Sequence, residues 1–137
     1  MRQDQRSTCP ISTALELVGD RWTLLVIRDL MFAGKRRFRE FLQSKEAISS
    51  NVLADRLATL VRSDVLRKEG DPTHAQKAVY SLTEKGVDLL PLLAALSAWN
   101  QKYDSTTRRP EAAKLVQGGP KVLKQIKSQL RRDHGLS

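Results

Sequence analysis

Residues 37–62 read Arg37-Phe38-Arg39-Glu40-Phe41-Leu42-Gln43-Ser44-Lys45-Glu46-Ala47-Ile48-Ser49-Ser50-Asn51-Val52-Leu53-Ala54-Asp55-Arg56-Leu57-Ala58-Thr59-Leu60-Val61-Arg62. Two apolar stripes lie here on either side of a polar turn. Phe38, Phe41 and Leu42 share one face of a short helix. After a turn around residues 44–47, Ser49 is placed to cap a second helix. Leu53, Leu57 and Leu60 follow at i, i+4, i+7, which predicts their burial. At about 100° per residue, Asn51, Asp55, Ala58 and Arg62 then point outward. Immediately downstream the rhythm becomes that of strands. Residues 65–68 and 78–82 are short β-type runs joined by a polar, turn-rich loop, which predicts a hairpin. Helix, turn, helix and hairpin is the order of a winged helix-turn-helix.

The flanks fit around this unit. Pro10 suits a first helical position, with Cys9 as its N-cap. Ile11, Ala14, Leu15 and Val18 continue at helical spacing to Gly19. Asp20 can cap the next helix. Residues 22–32 are apolar nearly all round, as expected of a central helix. Thr83 can cap a last long helix, along which Leu89, Leu92, Leu93, Leu96, Trp99 and Tyr103 recur at three- and four-residue steps. Pro91 falls inside that run and predicts a kink or break near Leu90. The expected class is mainly α with a small β-hairpin. The expected organisation is an N-terminal arm (1–8), a winged domain with its dimerisation helices (9–104) and a basic C-terminal tail (105–137).

Composition narrows the function. The chain has 137 residues, 40% hydrophobic and 28% charged, which suits one globular domain. Its formal net charge is +9. Residues 1–104 carry only +3 of this and residues 105–137 carry +6. Such a balance points to an anionic partner, nucleic acid first. No apolar run approaches the ~20 residues of a transmembrane helix, and the polar start predicts no secretory signal. A cytoplasmic protein with no membrane partner is expected. One cysteine and two histidines signal no metal cluster and no Cys–His pair. No phosphate-binding, nucleophile-elbow or metalloprotease motif is present, so neither an enzyme nor a cofactor is expected.

A helix of this kind fits the major groove of DNA, where small polar side chains reach base edges. Ser49, Ser50, Asn51, Asp55 and Arg62 are the candidate readers. Arg56 can reach a phosphate or pair with an acidic neighbour. Arg36, Arg37 and Arg39 sit where the motif's first helix would cross the phosphates. Lys77 lies on the expected wing.

The resemblance is more specific than the pattern. Cys9-Pro10, Leu17-Val18-Gly19-Asp20-Arg21-Trp22, Gly34, Arg37-Phe38-Arg39-Glu40-Phe41, Ile48-Ser49-Ser50-Asn51-Val52-Leu53, Arg56-Leu57 and Val79-Tyr80-Ser81-Leu82-Thr83-Glu84-Lys85-Gly86 occur in order. The set, closed by Trp99, resembles HxlR-type transcriptional regulators over about residues 9 to 103. Asp20-Arg21 stands where that family usually has glycine-lysine, and the proline usual before the second wing strand is absent.

The resemblance implies a homodimer on double-stranded DNA, joined through its first and last helices and reading a palindromic operator, usually as a repressor. It also implies a sensing role for Cys9, whose thiolate a helix N-terminus favours. A small ligand near Trp22 and Trp99 is a second form of control. Cys9 can equally be a small residue filling an interface, and Trp22 and Trp99 can be packing residues. The basic tail has three readings: a disordered electrostatic arm, a helix packed on the dimer, or a membrane-surface segment. Two rival functions stand beside the regulator. One is a sequence-independent DNA-coating protein, with equal affinity for any duplex. The other is a winged-helix module that binds protein.

Overall fold

A computed structural model describes residues 7–70 and 77–136. Helix α1 (Pro10–Val18) is followed by α2 (Thr23–Phe32), α3 (Phe38–Phe41) and α4 (Ser50–Arg62). Strands β1 (Leu66–Glu69) and β2 (Val79–Leu82) form the hairpin. Then come α5 (Glu84–Val87), α6 (Leu90–Tyr103), a 3-10 turn (Ser105–Thr107), α7 (Pro110–Gln117) and α8 (Gly119–Asp133). The class is mainly α with a two-stranded antiparallel sheet, in which Leu66 pairs with Leu82 and Glu69 with Val79.

Helix α2 forms the centre, as its apolar circumference requires, with Val26, Ile27, Leu30 and Met31 all buried. Asp20 starts it: its carboxylate accepts the N–H groups of Trp22 and Thr23 at 2.8 and 2.9 Å. Against α2 pack Phe41, Leu53, Leu57 and Leu60, each 1% exposed or less. Full burial of each such side chain contributes about 1.5–3 kcal/mol. The hairpin adds Leu66, Tyr80 and Leu82 to the same core.

Two local devices set the angles. Gly86 follows β2 where a Cβ would lie 2.4 Å from the Val65 carbonyl oxygen, so only glycine lets α5 approach β1. The expected break falls before Leu90: α5 ends at Val87, and Pro91 sits in the first turn of α6. There its missing N–H would have had no intrahelical partner.

Of the readings open for the C-terminal segment, the structure shows helix packed on the chain's own core. Residues 110–117 and 119–133 are helical, and Leu123, Ile126 and Leu130 of α8 turn inward, with His134 just beyond its end. Leu130 and His134 are buried. Residues 1–6 of the expected arm lie outside the described residues. So does most of the wing loop, residues 71–76. No described helix is long and apolar enough to cross a membrane.

Candidate nucleic-acid interface

The helix-turn-helix is held by a charged clamp beneath its turn. Arg28 of α2 donates to both oxygens of Glu46, at 2.7 and 2.9 Å, and to Asp29 at 2.8 Å. Lys35 and the Ser44 hydroxyl complete the shell of the buried Asp29. The Arg28 hydrogen bond draws the Glu46 carboxyl down to about 2. Ala47 takes a left-handed φ of 59° in this turn.

From that turn α4 emerges. The Ser49 hydroxyl accepts the Val52 N–H at 3.2 Å, as a capping serine should. Ser49, Ser50 and Asn51 are exposed. The side chains of Ser50 and Asn51 make no hydrogen bond among the described residues. The free first-turn N–H groups of α4 add partial positive charge there. Further along, Asp55 and Arg62 are exposed as well. Arg56 has partners: it pairs with Asp55 on its own helix and with Asp20 at 3.4 Å. It therefore ties α4 to the start of α2. Arg62 donates to the Thr59 hydroxyl at 3.1 Å.

The three arginines before and within α3 have different places. Arg39 is exposed and without an ion pair among the described residues. Arg37 is exposed and donates to the Lys77 carbonyl at 3.1 Å, which places it against the root of the wing. Arg36, a candidate for phosphate contact, has its guanidinium engaged within the fold. It is half-buried and donates to the Tyr80 carbonyl (2.7 Å), the Ser81 hydroxyl (2.6 Å) and the Asp133 carbonyl (3.2 Å). Its own carbonyl accepts the Tyr80 N–H at 2.8 Å, so residue 36 pairs alongside β2. The guanidinium thus joins α3, the wing and α8. Glu40, which the sequence reading left without a role, accepts the N–H groups of Arg36 and Arg37 at 2.9 Å each. It caps α3, and its position at N3 was the available signal.

The candidate control and dimerisation residues lie elsewhere. Cys9 is exposed at the start of α1. Hydrogen bonds from the backbone N–H groups of Ser12 and Ile11 lower the pKa of its thiol. Trp22 is half-buried against the core with the Arg21 guanidinium 5.1 Å from its ring, whereas Trp99 is 67% exposed. The α6 stripe divides. Leu89 and Leu93 pack on the chain's own core, while Leu92, Leu96, Trp99 and Tyr103 face out. Ile11 and Leu15 of α1 are exposed too. Lys77, at the foot of the wing, is exposed.

Comparison with known proteins bears on this arrangement directly. The family model HxlR-like helix-turn-helix matches residues 17–108. The uncharacterized HTH-type transcriptional regulator YdeP of Bacillus subtilis (strain 168) is 32% identical over 83% of this chain and 88% of its own. The HTH-type transcriptional regulator YodB of the same organism is 34% identical over 69% and 85%. The solved structure of reduced YodB superposes with a TM-score of 0.57 at 31% identity, covering 72% of this chain and 96% of that one. Quinone-bound and diamide-treated forms of YodB match similarly. The redox regulator HypR in its reduced form has a TM-score of 0.59 at 28% identity, over 68% and 91%. These relatives regulate transcription and are not enzymes. With its winged fold and uncommitted recognition-helix N-terminus, this chain belongs to the HxlR-like helix-turn-helix family of DNA-binding transcriptional regulators.

Proposed function

We propose that the chain is a cytoplasmic, homodimeric, sequence-specific regulator that represses genes from a palindromic operator. The observation that carries the reading is the start of α4, where Ser49, Ser50 and Asn51 stand exposed, as Arg37 and Arg39 do at α3. Small polar groups there can meet base edges while the two arginines meet phosphates. Lys77 at the wing and Arg62 at the far end of α4 are further exposed cations. The exposed strip of Ile11, Leu15, Leu92, Leu96, Trp99 and Tyr103 is the surface on which two copies would join. That union would hold two α4 helices about one DNA turn apart.

The test is competition binding by fluorescence anisotropy at ~150 mM salt, where non-specific attraction is weak. The probe is duplex from upstream of the chain's own coding region. A preference of at least ~10³ over random duplex supports the regulator. Equal affinity for random duplex would instead support the DNA-coating reading.

Control by thiol chemistry is the reading of Cys9, favoured by its exposure and its lowered pKa. YodB has been solved quinone-bound and diamide-treated, and HypR in reduced and oxidised forms. Diamide or a quinone should release operator DNA from the wild type and not from Cys9→Ser. Equal release from both proteins would remove Cys9 from the mechanism.

A further inference from the structure

Between α4 and the hairpin lies a groove of about 550 Å³. Leu57, Ala58 and Val61 line it from α4, and Phe38 and Tyr80 from α3 and β2. Its size falls within the roughly 300–1,000 Å³ typical of small-molecule sites.

Polar features interrupt this apolar wall on one side. Tyr80 is 6% exposed, yet its hydroxyl makes no hydrogen bond among the described residues. No fully buried side-chain polar atom of the described residues lacks a partner, so that hydroxyl keeps some exposure, and Tyr80 lines the groove. The Lys68 ammonium lies 6.0 Å from the Tyr80 ring centroid. Arg62 lines the same rim. Neither Lys68 nor Arg62 pairs with a carboxylate among the described residues. The groove therefore offers an apolar floor, one uncommitted hydroxyl donor and two cations. Burial holds the phenol above its ordinary pKa, which keeps it a donor at neutral pH.

We propose that this groove binds an amphipathic monoanion, an aromatic carboxylate. The ring would lie against Leu57, Val61 and Phe38. The carboxylate would accept from the Tyr80 hydroxyl and pair with Lys68. A DNA phosphate would satisfy the cations but leave the apolar floor wet. Binding itself needs nothing from the DNA reading, whereas its consequence rests on that reading. A ring wedged between α4 and β2 fixes the angle between recognition helix and wing, and so biases operator affinity.

The test is an amide NMR titration of the full chain with 2-naphthoate, using 2-naphthalenemethanol as its neutral twin. Both should shift resonances of Ala54, Ala58, Val61 and Lys68, and naphthoate should bind about 10-fold tighter. K68Q should remove most of that discrimination and leave the twin's affinity unchanged. Y80F should weaken naphthoate by about 3- to 10-fold. A58F fills the groove from an exposed position, which spares the core, and should block both probes. Absence of groove shifts at millimolar naphthoate overturns the proposal. So do shifts confined to the Trp99 and Tyr103 face, or K68Q binding naphthoate as the parent does. Should K68Q weaken duplex binding while naphthoate leaves the groove untouched, the occupant is phosphate and the proposal fails. Should naphthoate fill the groove in a chain that binds no duplex, the ligand site stands and the DNA reading falls.

Discussion

His134 is buried and held neutral. Burial, then the Arg36 charge, pushes its pKa to about 4; Arg67 adds to this and Asp133 opposes it. Its Nδ1 accepts the Leu82 N–H at 2.9 Å. Because the folded value lies below the ordinary ~6.5, the unfolded chain takes up the proton first. This contribution is intact above about pH 6.5, shrinks as the pH falls towards 4, and is constant below that. At pH 5 the loss should approach ~2 kcal/mol, at about 1.4 kcal/mol per pH unit. Urea unfolding at pH 7.5 and pH 5 measures it. His134→Asn keeps an acceptor without the proton and should flatten the difference; an unchanged slope would reject the assignment. At Cys9, iodoacetamide alkylation against pH should show a midpoint below the ~8.5 of a free thiol. A midpoint at or above ~8.5 would remove the thiolate argument. The residues legible from sequence were those whose partners are near in the chain: Asp20 and Ser49 as caps, and Leu53, Leu57 and Leu60 as core. Arg36 and His134 were not legible in these roles. Their partners lie 44 to 97 residues away, and no local period announces such a pairing.

Among the elements, the join of α3, β2 and α8 depends most on single side chains. Arg67 donates to the His134 carbonyl while Arg36 reaches the Asp133 carbonyl, so two guanidinium groups satisfy carbonyls at the end of α8. Arg36→Ala should destabilise the fold by about 1–3 kcal/mol, since it leaves part-buried acceptors unpaired. Arg39→Ala should stay within ~0.5 kcal/mol and instead weaken operator binding. Thermal unfolding beside anisotropy separates the two. Equal stability losses would mean that Arg36 is no more structural than its neighbour. Leu130→Ala should cost about 2–4 kcal/mol if α8 is a true part of the core. Element order was readable because helix and strand periods alternate cleanly between residues 10 and 103. Helix α8 was read as a tail because charge dominated its composition and its apolar stripe is only three residues and a histidine wide.

For the whole molecule, the exposed apolar side chains of α1 and α6 are the surface proposed to join two copies. Leu96→Glu with Trp99→Glu alters only exposed positions. It should yield a folded monomer in sedimentation velocity and lower operator affinity by at least ~10-fold, since each monomer then binds one half-site alone. A double variant that still sediments as a dimer would move the interface elsewhere.

The Leu82–His134 hydrogen bond also bears on how the molecule is made. Its donor and acceptor are 52 residues apart in the chain. At roughly 5–20 residues per second, the acceptor is polymerised about 3–10 s after the donor. A nascent chain therefore carries a recognition helix long before the root of its wing is fully tied down. Early release by a ribosome stalled anywhere in α8 would leave a winged domain whose wing base keeps its ties to Arg36 and lacks the one to His134.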